Sequence, residues 1–205
     1  MSDPPPAHAR TSPSTARNRD PILGVLRARL PERGLVLEIA AGAGEHAVHC
    51  AAALPAVRWQ PTDDDPEALA SIAAWREHAG LDNLLAPLRL DAARPDTWPV
   101  AHAEAIVTIN MIHISPWSAS VGLMAGAARA LPSGGGLFLY GPFIEGGVVT
   151  APSNVAFDQG LRQRNPEWGL RRLDDLTALG AEHGLGLCER IAMPANNLVV
   201  LFRKA

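Results

Sequence analysis

Glu38-Ile39-Ala40-Ala41-Gly42-Ala43-Gly44-Glu45-His46 is the stretch on which the fold turns. Ahead of it, Leu35 to Ala40 (LVLEIA) is a short apolar run of the kind that forms a buried strand. Behind it, Glu45 to about Leu54 has the spacing of a helix. The glycines between stop one pattern and start the other. A turn of this kind lets backbone come close to a ligand, beside the unpaired amide groups of a helix N-terminus. A tight strand–helix connection that holds no ligand would look the same in sequence.

Outward from this turn the chain alternates. Before it, Pro21 to Leu30 reads as a helix capped by Asp20, with Ile22, Val25, Leu26 and Leu30 on one face. After it come a strand at Val57 to Gln60, a helix at Pro66 to His78, and strands within Leu84 to Leu90 and at Ala105 to Asn110. A small-residue helix at Trp117 to Leu131, a strand at Gly136 to Tyr140 and a helix at Asp174 to His183 follow. The last two strands, Gly186 to Ala192 and Leu198 to Phe202, are separated only by Met193-Pro194-Ala195-Asn196-Asn197. Alternating strands and helices imply an α/β fold, a mostly parallel sheet covered on both faces. The closing pair has no room for a helical crossover, so its members must be antiparallel. Residues 1–16, rich in Pro, Ser, Ala and Thr, are expected to form a flexible tail, and 17–205 a single domain.

The totals exclude several function classes. At 205 residues, 47% apolar, the chain suits one sizeable core. A net charge of −3 and an aromatic content of 5% favour neither nucleic acid nor an anionic membrane surface. No apolar run approaches the roughly 20 residues of a membrane span, and the N-terminus lacks an apolar signal core. A cytoplasmic address is expected. Cys50 and Cys188 lie in apolar surroundings without metal-ligand spacing, and read as reduced, packed thiols.

The turn resembles the E/D-x-G-x-G-x-G motif of class I S-adenosylmethionine (SAM) methyltransferases. Glu38 stands at the acidic position, Gly42 and Gly44 at the second and third glycines, and Ala40 where the first glycine belongs. Gly42-Ala43-Gly44-Glu45-His46-Ala47 is equally a G-x-G-x-x-A dinucleotide fingerprint, so alone it separates neither SAM from NAD. Asp63, at the end of the second strand, can accept ribose hydroxyls in either case. The resemblance to the methyltransferases implies that Asp91, closing the third strand, meets an adenine amino group. The two-strand ending matches the methyltransferase sheet and not the usual six-strand dinucleotide sheet. Asp64 and Asp65 read either as ligands or as a solvated turn and helix cap.

Asn110-Met111-Ile112-His113-Ile114 follows the fourth strand, where this family borders its sulfonium and acceptor. It departs from the N-P-P-Y motif of amino-methylating nucleic-acid enzymes and resembles the L-H-H stretch of small-molecule O-methyltransferases. His113 is either a general base or a packed loop histidine. Together with Arg17-Asn18-Arg19-Asp20-Pro21, Trp59-Gln60-Pro61, Arg164-Asn165-Pro166-Glu167-Trp168-Gly169 and Met193-Pro194-Ala195-Asn196-Asn197, these residues resemble a short, largely uncharacterised methyltransferase-like family shared by bacteria and animals. The match runs from about residue 15 to the end and implies no substrate.

The expected cofactor contacts are thus Glu38, Ala40, Gly42, Gly44, His46 and Asp63, with Asp91 and Asn110, and with Arg17 and Asn18 folded over. A general base matters only for hydroxyl or protonated amine acceptors. His113 leads the candidates, with Tyr140 and Asp158 behind it. The long connection from Ser153 to Trp168 is the expected lid. Within it, Asp158 is favoured for the site and Arg162 for an i, i+4 surface pair with it. The expected activity is methyl transfer from SAM to a small molecule. A non-catalytic SAM-binding regulatory module and, behind it, an NAD-dependent oxidoreductase are the alternatives. Neither a metal nor an oligomeric state is indicated.

Overall fold

The structure, a computed structural model, describes residues 6–205. Helix α1 is Pro13–Arg27, followed by β1 (Gly34–Ile39), α2 (Glu45–Ala53), β2 (Val57–Asp63), α3 (Pro66–Ala79) and β3 (Leu88–Arg89). Then come β4 (Ala105–Ile109), α4 (Trp117–Ala130), β5 (Gly136–Gly141), β6 (Phe143–Ile144), α5 (Pro152–Arg164), β7 (Arg171–Arg172), α6 (Leu173–Glu182), β8 (Leu185–Met193) and β9 (Asn197–Lys204). Seven strands form one sheet in the order β3-β2-β1-β4-β5-β9-β8. All neighbours are parallel except β9, which runs antiparallel to both β5 and β8. This is the Rossmann-like methyltransferase architecture, with β9 inserted between β5 and β8 as the short final connection requires.

Side-chain alternation along the strands explains the two covering layers. Val36, Val107, Phe138 and Val199 pack with Ile22 and Leu26 of α1 and Ala47 of α2 on one face. Leu37, Ile106, Leu139 and Val200 pack with Leu123 of α4 and Leu176 of α6 on the other. Each fully buried Leu or Ile contributes about 1.5–3 kcal/mol. Glu38 of β1 is the one buried acid among the described residues, and it belongs to the site.

The N-terminal segment differs from expectation. α1 begins at Pro13, not Pro21, which lies inside the helix. Pro13 takes the first helical position after Ser12, where its missing N–H costs nothing. Arg10 donates to Asp65 at 3.0 Å and Glu67 at 3.1 Å, and its main-chain N–H to Ser71 Oγ at 2.8 Å. Trp75 Nε1 donates to the Arg10 carbonyl at 2.9 Å. The Ser12 N–H donates to Glu45 at 2.6 Å, and Thr15 is buried. Residues 9–15 therefore form a strap from α3 across the start of α2. Of the expected tail, residues 1–5 lie outside the described residues. Deletion of residues 1–16 should lower the melting temperature by about 5–10 °C, because it removes Thr15 and about 2–3 kcal/mol of contacts. A calorimetric scan showing no change would mean that the strap contributes nothing.

Cys50 is buried, but Cys188 is exposed on β8, beside the register shift between Leu187 and Glu189. No helix among the described residues is long and apolar enough to cross a membrane.

Candidate cofactor and acceptor site

The site lies beyond the carboxyl ends of the parallel strands, where β1 and β4 diverge to α2 and α4. Leaving β1, Ala40 takes φ +56°, Gly42 +59° and Gly44 +92°. The Ala41 N–H donates to the Thr62 carbonyl at 2.8 Å, and Gly44 closes the turn by donating to Ala41 at 3.1 Å. A Cβ on Gly44 would stand 2.9 Å from Ile72 Cα, against the backbone of α3. The left-handed conformation and the close approach both require glycine there. Ala40 has no such freedom. Its cost is therefore conformational and not one of bulk, about 1–2 kcal/mol in this region. Ala40→Gly should stabilise the fold by about 0.5–1 kcal/mol, after allowing for the freer unfolded chain. A melting temperature at or below that of the natural sequence would contradict this.

Above this turn is a cavity of about 390 Å³, lined by Glu38, Gly42, Gly44, His46, Asp63 and Asn110 among others. The strap closes one side with Ser12, Ser14 and Thr15. Asp63 receives the Gly42 N–H on Oδ2 at 2.9 Å and the Asp65 N–H on Oδ1 at 3.0 Å. Each oxygen keeps a lone pair for a ligand. Glu38 receives Trp59 Nε1 at 2.6 Å. Burial pushes its carboxyl up to about 7; the indole bond opposes the rise and the Asp63 charge adds to it. His46 is buried with both ring nitrogens unpartnered. Burial, helped by His49 and Arg19, holds its pKa down at about 4, so the ring is neutral. A glycine cradle, an aspartate with free acceptor capacity and a neutral donor–acceptor imidazole suit a nucleoside-bearing ligand. Asp64 instead pairs with Arg89 at 2.8 Å, and Asp65 caps α3 by accepting the Glu67 N–H at 3.0 Å.

Asp91 does not line this cavity. Its Oδ1 accepts the Ala93 N–H at 2.8 Å, securing the loop after β3.

A second cavity, of about 550 Å³, adjoins the first, and Ser14 and Asn110 belong to both walls. Asn110 turns between them at φ +61°, a conformation asparagine tolerates, and its N–H donates to the Tyr140 carbonyl at 2.9 Å. His113, Tyr140 and Phe157 line the second cavity, as do Arg17 and Asn18. Those last two therefore line this cavity and not the first, where they were expected. His113 is 2% exposed, and its Nδ1 is buried without a partner, which leaves Nε2 to meet a ligand. Its ring stands edge-on to Phe157, with centroids 5.6 Å apart. A Cβ on Gly141 would lie 2.9 Å from His113 Cε1, so a glycine at the end of β5 makes room for the imidazole. Burial, with the nearby Arg171 charge, lowers the His113 pKa to about 4. Arg171 itself braces the loop, donating to the Ile112 carbonyl at 2.9 Å and to Ser115 O. Burial raises the Tyr140 hydroxyl above its ordinary value, against a hydrogen bond from Asn18. Tyr140 thus keeps its proton at neutral pH and is a donor, not a base.

Asp158 is not in the cavity wall. Its Oδ2 accepts Arg162 Nε at 2.9 Å and its Oδ1 the Leu170 N–H at 2.7 Å. The i, i+4 pair wins because Asp158 points along α5 toward the Trp168–Leu170 turn. The expected lid is a full helix, α5, and Asn154 at its start donates to the Asn196 carbonyl at 2.9 Å. That bond ties α5 to the β8–β9 hairpin, where Ala195 and Asn196 both have positive φ. Sequence reading missed Ser14 and Thr15 as site residues. The Ser12-Pro13 pair, a helix-start signal, was their only trace.

A protein-family model described as "Protein of unknown function (DUF938)" matches residues 9–204. Among solved structures, the fold is similar to an O-methyltransferase family protein from Burkholderia thailandensis, at 14% identity and TM-score 0.78 over 94% of this chain and 57% of that one. It is similar to an O-methyltransferase family 2 protein from Planctomyces limnophilus, in complex with apigenin, at 21% identity, TM-score 0.76, and 94% and 60% coverage. It is also similar to human N-acetylserotonin methyltransferase in complex with SAM, at 15% identity, TM-score 0.77, and 94% and 53% coverage. The chain spans little more than half the length of these proteins.

Proposed function

The chain belongs to the DUF938 family, and from that premise we propose that it is a SAM-dependent methyltransferase acting on a small-molecule acceptor. We take that family to be the short methyltransferase-like group shared by bacteria and animals, and place this member in the cytoplasm. One observation carries the reading: a cavity over the glycine turn and a second cavity meet at Asn110 and Ser14, beyond the ends of β1 and β4. Donor and acceptor would meet at that junction.

When bound, SAM supplies an activated methyl group on a sulfonium. The chain's own residues do the rest. Asp63 would accept the ribose hydroxyls, and the α2 amides and His46 would hold the polar groups beside them. Asn110, fixed by its backbone bond to Tyr140, sets the border across which the two reactants align. The strap and Phe157 exclude water. For a hydroxyl acceptor, Tyr140 donates a hydrogen bond that orients it, and neutral His113 takes its proton at Nε2.

The position of β9 between β5 and β8 departs from the six-strand order of dinucleotide folds, which supports SAM over NAD. Calorimetry with SAM, S-adenosylhomocysteine (SAH) and NAD tests the cofactor. Micromolar binding of the first two and none of NAD is expected, and the reverse order would overturn the reading. A metabolite screen with methyl-labelled SAM then separates turnover from a purely binding role.

A further inference from the structure

The charge of the second cavity identifies what kind of acceptor it takes. Among the described residues, Arg17 is the only charged side chain in its lining, which includes no carboxylate. Arg17 makes no ion pair among the described residues, so no internal carboxylate competes for its guanidinium. The same wall carries Asn18, whose Oδ1 is buried without a partner, and the side chains of Ser14, Asn154 and Asn197. Among these polar groups, Phe157, Pro142 and Pro194 add apolar surface to the lining, Phe157 against the His113 ring. One cation with no internal counter-charge, surrounded by neutral hydrogen-bonding groups, is complementary to a single anion.

We propose that this cavity binds a small hydroxylated carboxylic acid, with its carboxylate on Arg17 and its hydroxyl at His113 and Tyr140. The proposal rests on the methyltransferase reading for the fate of the hydroxyl, but anion selectivity is a property of the cavity itself. Arg17 presents a planar fork of donors that matches a carboxylate. Asn18, one residue on in α1, lines the same cavity as Tyr140 and so lies between the anion end and the hydroxyl end. A volume of about 550 Å³ holds a substituted ring. The positive end also suits the chemistry, since an acid held at a distance from the reacting oxygen fixes its orientation without competing for the methyl group.

The test uses 3- and 4-hydroxybenzoate against the matching hydroxybenzamides, titrated by ligand-observed NMR into the full chain, with and without SAH. The acids are expected to bind about tenfold or more tightly than the amides. Arg17→Gln should erase that difference while leaving SAH affinity and the melting temperature unchanged. Arg17→Lys should keep part of it. Equal binding of acid and amide, a preference that survives Arg17→Gln, or no binding of any probe at millimolar concentration would each overturn the proposal. So would a tenfold loss of SAH affinity in Arg17→Gln, which would assign the arginine to the cofactor. If SAH fails to bind the natural sequence while the acids still show Arg17-dependent selectivity, the methyltransferase reading falls and the anion site stands.

Discussion

Asp63→Ala should weaken SAM binding by about a hundredfold in a protein that still folds. Two contributions combine. Loss of charged acceptors for the ribose hydroxyls costs roughly 1.5–3 kcal/mol per bond, and 1.4 kcal/mol is a factor of ten. The same carboxylate receives the N–H groups of Gly42 at 2.9 Å and Asp65 at 3.0 Å, so the alanine variant also releases the turn on which the cofactor would lie. Asp63→Asn separates the two effects. Its amide oxygen can still receive the Gly42 N–H, but its nitrogen accepts neither the Asp65 N–H nor a ribose hydroxyl, so the glycine turn keeps its brace while ribose recognition is reduced. Calorimetry on both variants should therefore rank natural sequence, Asn and Ala in falling affinity. Unchanged affinity in folded Asp63→Ala would remove the ribose assignment. An affinity that falls only in Ala, together with melting temperature, would make Asp63 a brace for the turn alone.

The sheet was legible because its signals are local and redundant. LVLEIA before a glycine turn, AIVTIN, and two strands separated by a five-residue link leave few topologies open, and β9 lies where the link demands. The glycine turn was legible for the same reason, since it depends on residues adjacent in sequence. What failed depended on long-range contacts. Composition made residues 9–16 look unstructured, yet Arg10 and Ser12 find partners on α3 and α2, distant in sequence, and Thr15 is buried. Asp158 looked available because it stands at helical spacing beside Phe157 and Leu161. Only the fold brings Arg162 and the Leu170 N–H to its two oxygens. Arg17 and Asn18 were expected over the first cavity and instead line the second. Protonation states were the least legible. An imidazole is neutral or charged according to burial, which no residue next to His113 in the chain reveals.

That burial fixes how His113 can act. With its pKa held near 4, the ring is neutral across the physiological range and free to accept a proton. It is also a weaker base than an exposed histidine, because the buried imidazolium would face Arg171. General-base help reaches about 10²–10⁴ in rate and is greatest when the base titrates near working pH, so His113→Ala should lower kcat by about 10², the low end of that range. SAM affinity should change little, since His113 lies outside the cleft over Gly42. The rate should be flat near neutrality and fall as pH drops through about 4, not through the 6.5 of an ordinary histidine. Stability changes in the same window and must be measured separately. His113 and His46 are both held neutral in the fold, so their contribution is present above pH 6.5 and is lost as pH falls toward 4, about 3 kcal/mol each. Rates taken only where circular dichroism shows a folded chain remove that ambiguity. A pH profile for His113→Ala parallel to that of the natural sequence would show that another group, or none, takes the proton. Equal falls in SAM affinity and turnover would make His113 a packing residue, held between Gly141 and Phe157 for its shape alone.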